Sequence, residues 1–261
     1  MALMPFDDRD GSIWINGEMI PWREATSHTL SHGLHYASTV FEGERVYSGV
    51  IFKGREHTER LRRSCEMLDF ELPLSDDELD AAKMAVVEAN SIVDGYVRAF
   101  AWRGSEMMAI SAQHTTTHVA IAAWEWPSYF DPETKMKGIT LDIADWKRPS
   151  PESAPVHAKA AGLYMICTLS KHAAEKKGFQ DALMLDYRGY LAEATGANVF
   201  FVDKEGTIHT PIADCFLDGI TRRTVIGLAE SLQMKVVQRH LTLDDLSEMT
   251  ECFLTGTAAE V

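Results

Sequence analysis

The sequence predicts an α+β protein of two domains, each with mostly antiparallel strands, and three observations carry that expectation. The chain has 261 residues, near the upper size of a single hydrophobic core, so one large domain or two domains sharing a cleft are the reasonable architectures. Hairpin signals and helical periodicities come in blocks, not in the regular strand-helix alternation of a parallel doubly wound sheet. The run Trp126-Pro127-Ser128-Tyr129-Phe130-Asp131-Pro132, followed by charged residues to Lys137, has the composition of an exposed connection and decides for two domains. The expected division is a small α+β domain over 1–126, a linker over 127–137 and a larger domain over 138–261.

Element by element, Asn16-Gly17 stands between short apolar runs in 12–22, the strongest local sign of a tight hairpin. Ser48-Gly49 supplies a second turn, between 40–47 and 50–52. Leu61, Cys65 and Leu68 recur at helical spacing from Arg55 to Phe70, and Ser75 with Glu78 forms a capping box that opens a helix through about Asn90. Strand character returns at 95–104 and 118–126. Ile139, Leu141 and Ile143 alternate with polar or small residues as in a half-buried strand, and 149–155 is a loop. A helix over about 161–177 ends at Gly178. Strands at 181–186, 190–192 and 197–202 are separated by turns at Tyr187-Arg188-Gly189 and around Gly196, and 203–206 turns the chain again. A helix over 221–233 and a strand over 235–241 follow.

Composition narrows the function classes. Lys plus Arg is 25 and Asp plus Glu is 39, a formal net charge of −14, the wrong sign for condensing onto a phosphate backbone or an anionic leaflet. No stretch approaches the roughly 20 apolar residues of a spanning helix, and the start MALMPFDDRDG does not have the basic and apolar regions of a secretory signal. A cytoplasmic address is expected, with no nucleic-acid or membrane partner. Cys65, Cys167, Cys215 and Cys252 stand far apart without a CxxC pair, which argues for four buried thiols rather than zinc or disulfides. His28, His32 and His35 have helical spacing, but Gly33 and neighbouring serines weaken a helix there and no acid or thiol accompanies them, so no metal is expected.

A lysine that works as a nucleophile or base must be deprotonated near neutral pH, and burial among apolar groups achieves that. Lys159, in PVHAKAAGLYMI, has no acidic residue between Glu152 and Glu175 and is the candidate; a solvated lysine at a helix start is the plain alternative. Glu193, flanked by Ala192 and Ala194, is a carboxylate that needs a partner. The two together fit a structural ion pair or a pyridoxal phosphate site, with the lysine as Schiff base and the carboxylate on the pyridine nitrogen. Asp218-Gly219-Ile220-Thr221-Arg222 opens a helix whose amides suit a phosphate, and Leu254-Thr255-Gly256-Thr257-Ala258-Ala259 is a second small-residue turn. Each taken singly is also an ordinary cap.

The run from Glu193 through Asn198, Phe200, Ile208 and Thr210 to Gly219-Ile220-Thr221-Arg222 resembles the signature of class IV pyridoxal-phosphate aminotransferases. It shares the chain with LHYASTVFEGER at 34–45, GYVR at 95–98, HAKAAGLY at 157–164 and LTGTAAE at 254–260, in the family's order. The resemblance covers essentially the whole chain and is nearest to the branched-chain amino acid aminotransferases. It implies the fold-type IV architecture, similar to D-amino acid aminotransferase, with the cofactor in the cleft between domains. It makes Lys159 the Schiff-base lysine, Glu193 the partner of the pyridine nitrogen and Tyr164 a hydrogen-bonding partner of the phenolic oxygen. Arg60 would bind the phosphate with the amides of Ile220 and Thr221 and with Thr257, in the turns that Gly219 and Gly256 make. Tyr36, Phe41, Gly43, Trp126 and Tyr129 match the substrate pocket, and Thr257 and Ala258 the α-carboxylate turn. Arg98 matches the arginine that meets the side-chain carboxylate of glutamate.

The implied reaction is transamination between L-leucine, L-isoleucine or L-valine and 2-oxoglutarate. Tyr36 would come from the other subunit, which implies at least a homodimer. Readings that keep the fold are a D-amino acid or (R)-amine transaminase, or an aminodeoxychorismate lyase; a reading from another class is a non-catalytic binding protein. Three departures stand out: Ala37 where many relatives have Gly, Glu44 where an aliphatic residue is usual, and an end at Val261 directly after TGTAAE, which fits either a shortened C-terminal end or a core closed in a different way.

Overall fold

The computed structural model describes residues 5–126 and 137–260, so Tyr129 and nearly all of the expected linker lie outside the described residues. The chain divides into two compact units, Met1–Pro127 with Ala158–Gly162, and Ser128–His157 with Leu163–Val261. The short segment that carries Lys159 belongs to the first unit. The cause is backbone pairing, since Val40 and Ala160 form a bridge and Phe41 N donates to Lys159 O at 3.1 Å.

The first unit is a seven-stranded sheet in the order β2-β1-β7-β6-β4-β5, with β3 also on β6. Its strands are β1 (Ser12–Ile15), β2 (Glu18–Pro21), β3 (Thr39–Phe41), β4 (Glu44–Tyr47), β5 (Val50–Ile51), β6 (Gly95–Arg103) and β7 (Thr117–Glu125). Both hairpin turns form where the sequence put them, with φ of 51° at Asn16 and 50° at Ser48, each followed by a positive-φ glycine. The helices are α1 (His32–Tyr36), α2 (Gly54–Met67) and α3 (Asp76–Ala89). The Ser75–Glu78 capping box is present in both directions. The expected strand over 40–47 is instead two strands that both pair with β6, split at Glu42-Gly43, where Glu42 N donates to Ala99 O. The split places two carboxylates and a glycine at the middle of the sheet.

Directly opposed residues of antiparallel strands share a face. Glu44 opposes Val97, while Arg45 opposes Tyr96 and Phe41 opposes Phe100. Val97, Ala99 and Ala101 are buried on one face of β6, and Tyr96, Arg98, Phe100 and Trp102 stand on the other by the two-residue period.

The second unit holds β8 (Leu141–Ile143), β9 (Asp181–Leu185), β10 (Leu191–Ala194), β11 (Asn198–Asp203), β12 (Ile208–Thr210), β13 (Val236–Gln238) and β14 (Met249–Thr255), with helices α4 (Met165–Lys176) and α5 (Ile220–Ser231). The sheet order is β13-β12-β11-β10-β9-β8, with β14 also on β11. Two of its pairings, β8 with β9 and β12 with β13, are parallel. β11 alternates between two cores: Val199 and Phe201 join Leu183, Leu191 and Leu241, whereas Phe200 packs with Ile208 and Ala229. Phe200 and Phe253 stack at 5.0 Å. Residues 161–164 form a 3-10 turn ahead of α4 rather than its first turn.

The expectation of four buried thiols is corrected at one position. Cys65, Cys167 and Cys215 are buried, but Cys252 is exposed on β14. β14 was not recognisable as a strand from its mixed MTECFLT pattern, and its pairing with β11 is what orders it. Among the described residues no helix is long and apolar enough to cross a membrane.

Candidate active site

In the first unit, Lys159 is held at both ends of its peptide. Its N–H donates to Ser64 Oγ at 3.0 Å and its carbonyl accepts from Phe41 N. The ammonium lies 4.9 Å from the centre of the Phe41 ring. Burial pushes the amine down, the Arg60 guanidinium pushes it further and Glu42 opposes; the result is a pKa lowered to about 8. An amine in that range is partly neutral near neutral pH, the state a nucleophile or base requires.

Arg60 comes from α2 and meets Glu42 in a two-point pair, Nε to Oε1 at 2.7 Å and Nη2 to Oε2 at 2.8 Å. Two residues along, Glu44 is wholly buried and pairs with Lys83 of α3 at 2.9 Å. Lys83 also donates to Gly54 O and Thr58 Oγ1. Burial pushes the Glu44 carboxyl up to about 8 against the pull of Lys83, with Glu42 and Asp80 adding to the rise. Sequence reasoning missed Glu42, His57 and Lys83. The signal was present, because two carboxylates flanking Gly43 in a buried strand require cations nearby.

Arg98 is half-buried, with Nη2 donating to the Tyr96 hydroxyl at 3.2 Å and the guanidinium 4.6 Å from the Phe41 ring centre. Among the described residues it has no carboxylate partner. A cation lined by rings and one phenol is suited to an incoming carboxylate. Gly43 makes room for that phenol: a Cβ there would stand 1.8 Å from the Tyr96 hydroxyl. Tyr96 is thus a further member of this group, visible beforehand only as part of GYVR. Trp126 packs on Tyr96 with ring centres 5.5 Å apart. Tyr36 lies at the end of α1, stacked on His32 at 4.6 Å and 43% exposed. A cavity of about 560 Å³ lined by Ile15, Leu34, Phe100 and Trp102 also belongs to this unit but includes none of Lys159, Arg60 or Arg98.

In the second unit, Glu193 on β10 opposes Asn198 on β11. The Asn198 amide donates to Glu193 Oε2 at 3.3 Å and to Leu217 O at 3.0 Å. Arg148, itself buried, places Nε 3.4 Å from Glu193 Oε1, an opposite charge that favours the ionised acid. Nothing in the sequence singled out Arg148, which lies just ahead of the expected loop. Gly219 packs its Cα against Asn198, where a Cβ would stand 2.2 Å from Oδ1. Gly219 also caps α5 without a side-chain bond, and the first intrahelical bond runs from Arg223 N to Gly219 O. The amides of Ile220 and Thr221 therefore precede the helix ladder, as an anion site requires.

Thr255 ends β14 opposite Asn198, and Gly256 and Glu260 close the following turn by exchanging backbone bonds at 3.0 and 2.7 Å. Thr257 and Ala258 occupy that turn and are half-buried, as is Tyr164 at the start of α4.

The histidine spacing does not make a cluster. His28 lies outside α1, His32 bonds Ser38 and Ala109 O, and His35 bonds Thr29 O. Asp186, Asp214 and Cys215 bring ligand-type atoms together, but Arg188 lies among them and donates to both carboxylates.

The family model for amino-transferase class IV matches residues 39–261. A probable branched-chain-amino-acid aminotransferase of Rickettsia conorii is 44% identical over 100% of this chain and 88% of its own length. The crystal structure of Escherichia coli branched-chain amino acid aminotransferase has a TM-score of 0.93 at 36% identity, over 97% of this chain and 84% of that one. That of the branched-chain amino acid aminotransferase from Thermobaculum terrenum in its PLP form has a TM-score of 0.85 at 31% identity, over 96% and 83%. With the family model spanning most of the chain, and relatives this similar across nearly all of it, the protein belongs to the class IV aminotransferases.

Proposed function

We propose that this chain is a pyridoxal-phosphate-dependent branched-chain aminotransferase that exchanges the amino group between L-leucine, L-isoleucine or L-valine and 2-oxoglutarate. The observation that carries the reading is Lys159, an amine held at about 8 by burial and by Arg60. A structural surface lysine has no reason to be kept so, whereas one that must add to a carbonyl and carry a proton does.

Each unit by itself carries donors of the kind pyridoxal phosphate needs: in the first a depressed amine at Lys159 and a guanidinium at Arg60, in the second uncapped amides at Ile220 and Thr221 and a supported carboxylate at Glu193. The cofactor, when bound, supplies an electron sink for the bond broken at the substrate's α-carbon. Lys159 Nζ would hold the cofactor covalently; once the substrate's amino group has displaced it, the freed Nζ would take the proton from the substrate's α-carbon and hand it back on the cofactor side of the substrate nitrogen. Glu193 keeps the ring nitrogen protonated, with Arg148 and Asn198 keeping Glu193 charged and aimed. Tyr164 bonds the phenolic oxygen. Arg60, the α5 amides and Thr257 hold the phosphate, with Gly219 and Gly256 shaping the two turns. Arg98 takes the side-chain carboxylate of glutamate, and the Thr257 and Ala258 turn takes the α-carboxylate. Phe41, Gly43, Trp126, Tyr129 and the partner protomer's copy of Tyr36 bound the apolar side-chain pocket, so the working unit is a homodimer or larger, in the cytoplasm.

The test is a visible absorption scan of the protein loaded with pyridoxal phosphate, before and after L-leucine. Conversion of the cofactor band to that of pyridoxamine phosphate, reversed by 2-oxoglutarate, is the expected result. A band that L-leucine leaves untouched and D-alanine or an (R)-amine converts would replace the substrate while keeping the chemistry. No band at all after added cofactor would overturn the enzyme reading.

A further inference from the structure

Glu42 is wholly buried, and both of its carboxylate oxygens are in use. Oε1 accepts from Arg60 Nε and Oε2 from Arg60 Nη2, at 2.7 and 2.8 Å. Oε2 also lies 2.6 Å from His57 Nδ1 and 3.4 Å from Gly43 N. Burial alone would raise the Glu42 carboxyl, but the Arg60 guanidinium, with His57, outweighs it and holds the group well below the usual carboxylate range. Burial lowers His57 in turn, so the imidazole is neutral at pH 7. Because an ionised carboxylate only accepts, the His57 proton resides on Nδ1 and points at Glu42.

The shape of the pair matters more than its charge. A planar guanidinium gripped along its Nε/Nη2 edge by both oxygens of one carboxylate has its plane fixed, and with it the direction its opposite edge faces. His57 in turn stops the carboxylate from rotating. The chain spends a fully desolvated carboxylate in mid-sheet to achieve this, where an apolar residue would pack at less cost.

We propose that Glu42, braced by His57, is a positioning residue that orients Arg60 for a phosphate monoester. The proposal rests on the reading of Arg60 as the phosphate ligand of the cofactor. It makes the prosthetic group's phosphate, rather than its ring, the part whose binding depends on Glu42.

The experiment compares pyridoxal phosphate with phosphate-free pyridoxal as ligands of the apo protein, titrated by absorption, with circular dichroism melts as a check on folding. In Glu42→Gln the second acceptor becomes a donor facing the guanidinium. The expected result is a dissociation constant for pyridoxal phosphate weakened by about 10- to 100-fold, as for loss of a charge-assisted bond, with pyridoxal changed less than about threefold. Equal weakening of both ligands, or none for pyridoxal phosphate, overturns the proposal. Should Glu42→Gln fail to fold, Glu42→Asp keeps the charge, withdraws the carboxylate by one methylene and carries the same comparison. Arg60→Ala separates the two levels. If it leaves the preference for the phosphorylated ligand intact, the phosphate role of Arg60 falls and the proposal with it; if it abolishes that preference while the Glu42 variants keep it, the positioning role alone falls.

Discussion

The two units prepare charge in opposite ways. In the first, the charged side chains are drawn from four distant segments: Glu42 and Glu44 at the β3–β4 junction, Arg60 on α2, Lys83 on α3 and Arg98 on β6, with Arg60, Glu42 and Arg98 acting on Lys159 and Lys83 paired with Glu44. Their geometry rests on ion pairs and on packing across the sheet. In the second, Glu193, Asn198 and the α5 amides come from one stretch of chain, and the groups free at the start of α5 are backbone. The contrast teaches that a site made of backbone is fixed by local turns, while a site made of buried side-chain charges is fixed by its counter-charges and fails when any one is removed.

The strongest way to break the comparison is at the two reacting ends. Lys159→Ala is expected to lower turnover by at least about a thousandfold and to abolish the cofactor's visible band, as removal of both nucleophile and base should. Glu193→Gln is expected to lower turnover by roughly 100- to 1000-fold while cofactor is still retained. A Glu193→Gln protein with undiminished turnover would separate the second unit's carboxylate from the chemistry.

The next effect is on stability and belongs to the first unit. Above about pH 8, where the Glu44 carboxyl of the parent is ionised, Lys83→Met leaves it without its counter-charge and is expected to cost about 3–5 kcal/mol in urea unfolding. The Glu44→Leu/Lys83→Met double variant removes both charges and is expected to recover most of that loss. The pH dependence has a definite sign. The Glu44 carboxyl is raised to about 8 in the fold from an ordinary 4.5, so the folded chain holds the proton more tightly than the unfolded one. The associated stability is full below the ordinary value and is lost as pH rises through about 8. Without Lys83 that loss extends to higher pH, and the double variant removes this contribution altogether. A Lys83→Met protein as stable as the parent above about pH 8 would show that the pair is dispensable.

How much of this was legible follows the same division. The run from Glu193 to Arg222 was recognisable because β10, β11, β12 and the start of α5 succeed one another and bring their own residues together. The hairpins at Asn16-Gly17 and Ser48-Gly49 and the cap at Ser75 were legible for the same local reason. Lys159 stood out as a lysine in an apolar run, but its assignment to the first unit was not visible, since it depends on pairing with residues about 120 positions earlier. Lys83 looked like any lysine on an amphipathic helix, and only the fold shows that it faces Glu44. Arg148 carried no signal, because its partner Glu193 is contributed by β10.

Arg98 sharpens the comparison at the level of substrate. It has a phenol and ring faces around it, a setting suited to the carboxylate of a ligand. In Arg98→Met the KM for 2-oxoglutarate is expected to rise by about 100-fold, the order expected when a site built for a charged group loses its partner. The half-reaction with L-leucine is expected to change less than about threefold. Equal loss in both halves would make Arg98 a packing residue of the sheet face instead.

The smallest expected effect tests the tether that draws Lys159 into the first unit. Ser64 is wholly buried on α2 and its hydroxyl accepts from the Lys159 N–H at 3.0 Å. Ser64→Ala leaves that amide without its acceptor, which is expected to cost about 1–2 kcal/mol and to lower turnover a few-fold, with the cofactor band retained. Its counterpart in the second unit is Asn198→Ala, which removes the bonds to both Glu193 and Leu217 O. If side-chain sites depend on their tethers and backbone sites on their turns, Ser64→Ala moves the lysine without touching phosphate affinity. Asn198→Ala, by releasing the 217–219 turn, weakens pyridoxal phosphate more than pyridoxal. The same selectivity in both variants would mean that the two units do not divide the work in this way.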